Sequence, residues 1–431
     1  MSDGSNTGHH VLFVGTTQSN FLREIAGQVH GPVDGMVCTQ LNARGLDGAP
    51  LPERGALRSL EIDLKPPRRT WPALLLESLR LRRRLHGAVN AWVEAILLVL
   101  FHPDRLRAAK RSLERRIHFV RTVVPRLHEF ETVNAHLLFR HHVHLLWHLP
   151  KDVRVVCSFW GSDLLRRHGT LDHHALRATL DRADAITIQT LELAEIMYAK
   201  FGRDLKAKTR IMRFPNSTEI RDAIDACRGD EDTRTGFLLG MDLAPDAPVI
   251  VVGHNGHPMN NHRAILEAIL PALDRRQTPV NLILPFTYGG TPEYMSELRR
   301  IVGDRPRVRF LTEFLSPEDL ARLRVVTDVY IHMPETDAMS GALTESMYAG
   351  ARAITGAWLP YGLYRRAAGV DLLECASFND LPTHLERALE GGPTHGSAGH
   401  RTALGRVFWS ERTAGRWADV LITDRESPTE R

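Results

Sequence analysis

The chain has 431 residues, 43% of them hydrophobic and 25% charged, with a formal net charge of +4. That balance excludes a disordered or collagen-like polypeptide and describes a globular protein long enough for two hydrophobic cores. Cys38, Cys157, Cys227 and Cys375 form no CxxC pair, which excludes a zinc ribbon or a disulfide framework and fits a reducing compartment.

The chain opens on a buried-strand pattern at residues 10–15, ending in Gly15, then a polar turn and a helical pattern at 21–29. Residues 1–10 lack the basic flank and apolar core of a signal peptide, so the expected location is cytoplasmic. Strand, short turn and helix is the opening of a doubly wound α/β domain. A second strand is expected at 35–39. A long basic segment follows, in which Arg68, Arg69, Arg80, Arg82, Arg83, Arg84, Arg105, Arg107, Lys110, Arg111, Arg115, Arg116 and Arg121 alternate with apolar runs at 74–76 and 91–101. The longer run is too short to span a bilayer and contains Glu94. Two readings stand: a basic amphipathic surface that docks on the anionic inner face of a membrane, or core helices with solvated arginine faces. Nothing resembling a nucleic-acid-binding motif accompanies the charge.

Alternation then resumes, with strands expected at 132–135, 153–159, 185–189 and 209–214 and helices at 137–148, after Gly161, and at 191–201. Polar residues 228–236 and the proline-bearing 243–248 read as a linker. Beyond it the rhythm restarts, with strands at 249–252, 280–284, 308–311, 329–332 and 352–355. Helices are expected at 261–273, 292–302, 317–326, 343–349 and 381–390, and a last one from Thr402 to Leu421. The expected organisation is an N-terminal Rossmann-like domain over 1–235 that binds the acceptor, a C-terminal one over 236–400 that binds the donor, and a segment over 401–431 crossing back to the first. Ligands of such sheets lie outside the carboxyl ends of the strands, so both are expected to face a central cleft.

The sharpest local signal is Asp337-Ala-Met-Ser-Gly-Ala-Leu-Thr-Glu345. Small residues Met339, Ser340, Gly341 and Ala342 at a helix start offer unhindered N–H groups to phosphate oxygens, and the flanking carboxylates suit sugar and ribose hydroxyls. An acidic N-capped helix explains the same residues without a ligand. The loop after residue 252 carries His254, Asn255, Asn261 and His262, polar donors near another helix N-terminus. Its histidines have no carboxylate or cysteine companion, so no metal site is expected. Tyr288 and Phe314 stand at strand ends, where they can wall a cleft or stack on a base, or serve only as turn residues. In the first domain Asn134-Ala-His136 ends one strand and Ser158-Phe-Trp-Gly-Ser-Asp163 the next. His136 is placed to donate to a sugar or phosphate, Asp163 to orient an acceptor, and Arg213 to reach the cleft. The histidine-rich 140–144 reads as a polar helix face.

Together these segments resemble a GT-B glycosyltransferase. Asp337 and Glu345 are similar to the acid–seven residues–Glu signature of the retaining glycosyltransferase family 4, with Asp in place of the usual first Glu. The resemblance implies that Asp337 holds donor-sugar hydroxyls, Glu345 the ribose, and the backbone of Met339, Ser340, Gly341 and Ala342 the diphosphate. Asn134-Ala-His136 resembles that family's N-domain histidine motif. The family's Arg and Lys in the first loop of the second domain are replaced here by His254-Asn255 and Asn260-Asn261-His262. That loop, with Tyr288-Gly-Gly-x-x-x-Tyr294, resembles in part the fucosamine transferases of enterobacterial common antigen assembly.

The expected activity is transfer of a sugar from a nucleoside diphosphate sugar to a glycan or lipid-linked acceptor in surface polysaccharide assembly. The resemblance implies retention of configuration and no metal or other cofactor. Candidate donor residues are Gly15, His254, Asn255, Asn261, His262, Tyr288, Phe314, Met339, Ser340, Gly341, Ala342 and Glu345. His136 and Asp337 are the candidate catalytic groups, and Asp163 and Arg213 the acceptor or cleft groups. A GT-B epimerase or hydrolase, or a non-catalytic nucleotide-sugar or lipid-binding module, is the alternative. The lack of a GxGxxG after a strand, with an acid some 20 residues on, argues against an NAD enzyme.

Overall fold

The structure is a computed structural model and describes residues 9–15, 20–30, 36–44, 57–63, 67–81, 106–122, 124–139, 143, 145–166, 169–390, 398–409 and 411–422. The chain divides into two compact units, Met1–Pro215 with Glu411–Arg431, and Asn216–Ser410.

The first unit is built on a parallel sheet of β1 (His10–Val14), β2 (Val37–Arg44), β3 (Leu57–Asp63), β4 (Thr132–His136), β5 (Arg154–Ser158), β6 (Ala185–Ile188) and β7 (Thr209–Ile211), in the order β3-β2-β1-β4-β5-β6-β7. The second carries β8 (Val249–Val252), β9 (Asn281–Pro285), β10 (Val308–Leu311), β11 (Val329–His332), β12 (Arg352–Gly356) and β13 (Leu373–Cys375), in the order β10-β9-β8-β11-β12-β13. All ladders are parallel. Each order reverses once, between β1 and β4 and between β8 and β11. At such a reversal neighbouring crossovers leave on opposite faces and open a crevice at the carboxyl ends.

Central strands are apolar on both faces, as parallel strands covered by helices must be. In β8, Val249 and Val251 enter one core while Ile250 and Val252 enter the other. Tyr330 on β11 shares the core of Val251, whereas Val329 and Ile331 lie opposite. Helices of the second unit start on side-chain caps. Thr291 accepts from Tyr294 N (3.2 Å), Ser316 from Asp319 N (3.1 Å) and Ser340 from Leu343 N (3.2 Å).

Several sequence expectations are corrected. The polar stretch 228–236 read as a linker instead follows helix Thr218–Cys227 directly and enters a second helix, Glu231–Leu239, capped by Asp230. Their Ile220, Ile224 and Leu238 are buried in the second unit's core, so the division falls at Pro215 rather than after residue 235. The last helix is broken into Ala398–Phe408 and Glu411–Ile422, and the second piece belongs to the first unit. Within the expected helix over 137–148, Leu137 takes φ 49°, Val143 N donates to Phe139 O (3.1 Å) as in a helical turn, and Leu146–His148 forms a 3-10 turn. Residues 140–142 and 144 of the histidine-rich segment lie outside the described residues, as do 82–105 of the basic region with its longer apolar run. β3 and β13 were not foreseen.

Helix Glu411–Ile422 is stitched to the first sheet by its side chains and its carbonyls. Trp417 Nε1 donates to Arg213 O (2.9 Å), Thr132 Oγ1 to Leu421 O (2.7 Å) and Arg154 Nε to Val420 O (3.1 Å). Trp417 is fully buried beside Phe13, Ile25 and Phe214. Replacing a buried tryptophan by alanine costs about 3–5 kcal/mol. Trp417→Ala is therefore expected to raise hydrogen exchange in β1 and β4 by orders of magnitude while leaving Val249–Val252 protected. Equal loss in both units would contradict this division of the core.

Candidate functional site

At the reversal of the second sheet, β8 runs into Gly253-His254 and β11 ends in His332, five residues before Asp337. Asp337 is the hub. Its Oδ2 receives His332 Nε2 (3.1 Å) and the Tyr361 hydroxyl (2.5 Å), and Oδ1 receives Ala338 N (2.8 Å). A carboxylate only accepts, so His332 donates through Nε2. Burial works to raise the Asp337 carboxyl, but the hydrogen bonds from His332 and the Tyr361 hydroxyl outweigh it and hold the group below the usual carboxylate range. The same burial, with Asp337 close by, drives the Tyr361 phenol well above its ordinary value. Tyr330, His332 and Tyr361 form a stack of nearly parallel rings, 5.8 and 6.1 Å between centroids.

Behind Asp337 the chain enters helix Gly341–Ala349. Ser340 occupies the Leu343 amide, which leaves the half-exposed Gly341 and Ala342 amides without an acceptor among the described residues. These are the unsatisfied donors at the positive end of a helix dipole. Met339 is half-buried against the core. Glu345, one turn along, is buried. Its Oε2 accepts from Arg324 Nε (3.2 Å), and Oε1 has no partner among the described residues. Burial raises the Glu345 carboxyl, and Arg324 partly opposes the shift. Arg324 also lies over the Tyr330 ring, whose buried hydroxyl has no partner among the described residues.

The loop after β8 is laced by asparagines rather than by cations. Asn255 Oδ1 accepts from His257 N (2.9 Å) and Asn260 Nδ2 (2.7 Å), and Asn261 in the left-handed region donates through Nδ2 to Met333 O (2.8 Å). Asn255 and Asn261 therefore shape the loop and tie it to β11. His254 is half-buried, 5.4 Å ring to ring from His332. His262 departs from its expected donor-binding place. It is fully buried against Gly253, Phe286 and Tyr294, and a Cβ on Gly253 would sit 2.8 Å from its Nε2. Burial pushes it down to about 4, so it serves as a neutral ring in the packing.

Tyr288 and Phe314 come together as exposed parallel rings, 5.8 Å apart with 5° between their planes. An open groove of about 750 Å³ lies along Phe237, Met241, Phe310 and Leu315. Asp230, Asp232, Glu313 and Asp319 against Arg322 make it repel a diphosphate. No group of three or more His, Cys, Asp or Glu side chains among the described residues converges on a metal position.

In the first unit, His136 at the end of β4 is wholly buried and caged by Phe13, Trp160, Phe214 and Trp417. Trp160 Nε1 donates to its Nδ1 (3.0 Å), so Nε2 carries the proton and donates to Asn134 Oδ1 (2.6 Å). Burial pushes the ring down to about 3. Both nitrogens are occupied, and in this conformation the ring presents none to a ligand. Asp163 likewise departs from its expected cleft position. It is fully buried and accepts from Leu138, Trp160, Gly161 and Leu164 amides at 2.8–3.3 Å, which pins two strand-end loops together. Arg213 is half-buried after β7. Gly15 ends β1 at φ 104°, and residues 16–19 of the turn that follows lie outside the described residues.

Arg324, His332 and Tyr361 are the residues that sequence reasoning did not place in the site. The signal was present in part: Val-Tyr-Ile-His puts two polar rings on one face of a strand otherwise buried in apolar surroundings.

The fold defined by these two sheets is that of the GT-B class, an α/β architecture of two Rossmann-like domains. Among solved structures it is similar to sucrose-phosphate synthase from Thermosynechococcus elongatus, with a TM-score of 0.64, 14% identity, and coverage of 96% of this chain and 98% of that one. The UDP-forming α,α-trehalose-phosphate synthase of Burkholderia vietnamiensis gives 0.63 and 13%, covering 96% of each chain. Anabaena HepE, solved in complex with UDP-glucose, gives 0.62 and 13%, covering 96% of this chain and 99% of that one. By sequence, no protein-family profile and no curated protein matches the chain.

The stability contributed by ionised Asp337 is present above the ordinary carboxylate pKa of about 3.9 and lost as pH falls through its lower folded value. The stability gap between the native protein and Asp337→Asn is thus expected to be constant above about pH 5 and to shrink toward about pH 3. Urea titrations along that range measure it, and a gap that does not change with pH would show that the carboxylate is not held in this way.

Proposed function

We propose that the chain is a nucleotide-sugar glycosyltransferase whose donor lies at the reversal between β8 and β11. The observation that carries the reading is the pair of Gly341 and Ala342 amides, without an acceptor among the described residues, after the fixed Asp337 carboxylate. Amides at a helix start receive the diphosphate. Asp337, acceptor-only and held in place, takes donor-sugar hydroxyls, and Glu345 offers Oε1 to the ribose. The parallel Tyr288 and Phe314 rings suit a base, with stacking worth about 1–3 kcal/mol. Leaving-group charge would be met by preorganised donors, which lower the barrier of such reactions more than any other single effect. Retention of configuration, independence of metal and a role in surface polysaccharide assembly belong to the same proposal. The neighbours' fold supports the class of reaction.

The acceptor we propose is a glycan or glycolipid, reached from the inner face of a membrane. Exposed Trp71, Leu76 and Leu106 on helices Trp71–Leu81 and Leu106–Thr122 stand with exposed Arg68, Arg107, Arg111 and Arg121. That is the mixture of apolar and basic side chains that binds anionic headgroups. No helix among the described residues is long and apolar enough to cross a membrane. Co-sedimentation is expected with vesicles containing phosphatidylglycerol and not with pure phosphatidylcholine, and Trp71→Ala with Leu76→Ala should weaken it. Equal recovery with both vesicles would remove the membrane from the account.

Gly341→Pro tests the donor site without disturbing the helix. Proline fits the first helical position, and Ser340 before it is already extended at φ −85°, ψ 119°. The variant deletes one amide donor, so affinity for nucleotide sugars should fall on the order of tenfold at unchanged thermal stability. Binding by the native protein without transfer to any acceptor would favour a non-catalytic nucleotide-sugar module, as the absence of an Arg–Lys pair in the first loop suggests. Release of free sugar would favour a hydrolase or epimerase.

A further inference from the structure

The loop after β8 carries no Lys or Arg from Gly253 to Asn261 and holds itself with asparagine side chains, and the buried Arg324 donates through Nε to Glu345. The chain nonetheless places two imidazoles at the reversal, one at the end of each flanking strand. His332 donates through Nε2 to Asp337, and its buried Nδ1 has no partner among the described residues. His254, 5.4 Å away ring to ring, has a buried Nδ1 without a partner and no hydrogen bond at Nε2 among the described residues. A neutral imidazole can leave one nitrogen unbonded at modest cost, whereas an imidazolium must satisfy two N–H donors. The charged and titratable groups facing His254 are His332 on β11, Asp337 after it, Arg324 from helix Pro317–Val326 and His262 from helix His262–Asp274. Burial, then His332, pushes His254 down to about 3.

We propose that His254 is the phosphate-side cation of this site, created on demand: the imidazole takes a proton from solvent as the donor's diphosphate binds. This rests on the nucleotide-sugar reading above. The proton adds to one ring nitrogen, no other bond forms or breaks, and the buffer is its source. The anion supplies a negative charge at low dielectric, which favours the charged ring. Asp337, held ionised on the far side of His332, already favours it from one direction. The consequence is a donor affinity that depends on pH although the ligand itself does not titrate near neutrality.

Isothermal titration calorimetry with intact UDP-glucose, dTDP-glucose and GDP-mannose tests this, because their diphosphates are diesters with no ionisation in the range used. For the sugar nucleotide that binds, the apparent enthalpy should vary with the ionisation enthalpy of the buffer in the sense of proton uptake. Affinity should also fall from pH 6 to pH 8, by up to about tenfold per pH unit for one linked proton. His254→Gln should abolish the buffer dependence and flatten the pH profile. His254→Arg, a permanent cation, should flatten it while restoring affinity at pH 8. Binding by the native protein with no proton uptake overturns the proposal and leaves the donor site standing, as does uptake that persists in His254→Gln. Absence of binding by every sugar nucleotide at every pH overturns the donor-site reading and this proposal with it.

Discussion

The second unit is organised around one carboxylate. Asp337 is reached by a strand residue, His332, by its own following amide at Ala338, and by Tyr361 ahead of helix Gly362–Ala368. These three contacts fix the path of the loop between β11 and helix Gly341–Ala349, and with it the direction in which the helix's first amides point. Backbone donors cannot be moved by rotamers, so a site made of them is only as precise as the loop that carries them.

The neighbouring polar groups follow from that choice. Glu345 lies a turn deeper, where burial would neutralise it if Arg324 were not beside it. Removing one partner of such a pair is costly because the other is left charged and buried. Arg324 holds the Glu345 carboxylate through Nε. The arginines that remain in the unit gather elsewhere, as in the hollow lined by Arg221, Arg228, Arg401 and Arg406 with Asp222 and Asp225. At the strand ends flanking the reversal stand two imidazoles, His254 and His332, 5.4 Å apart ring to ring.

The sequence made the fold legible where hydrophobic periodicity and caps agree. Val249–Val252, Val329–His332 and the Ser316- and Ser340-capped helices fall where their residues place them. It misled where polarity was read as loop. The Asp230 cap, with Thr233 donating to it, starts a helix that was read as linker because its exposed face is charged. In the candidate site, the acids and the small-residue turn were legible as local signals. His332, Tyr361 and Arg324 were not, because each acquires its role from a partner 5, 24 or 21 residues away. Asp163 and His136 show the complementary case. Polar residues at strand ends suggest a ligand, yet four amides and a tryptophan-lined cage satisfy them within the protein.

The most direct test of the central claim is a crystal structure of the protein with a bound nucleotide sugar. The account predicts the diphosphate within hydrogen-bond distance of the Gly341 and Ala342 amides, with the ribose at Glu345 and the base against Tyr288 and Phe314. A nucleotide seated in the groove of Phe237 and Glu313, or in the arginine-lined hollow of Arg401 and Arg406, with the Gly341 amide still unpartnered, would contradict it.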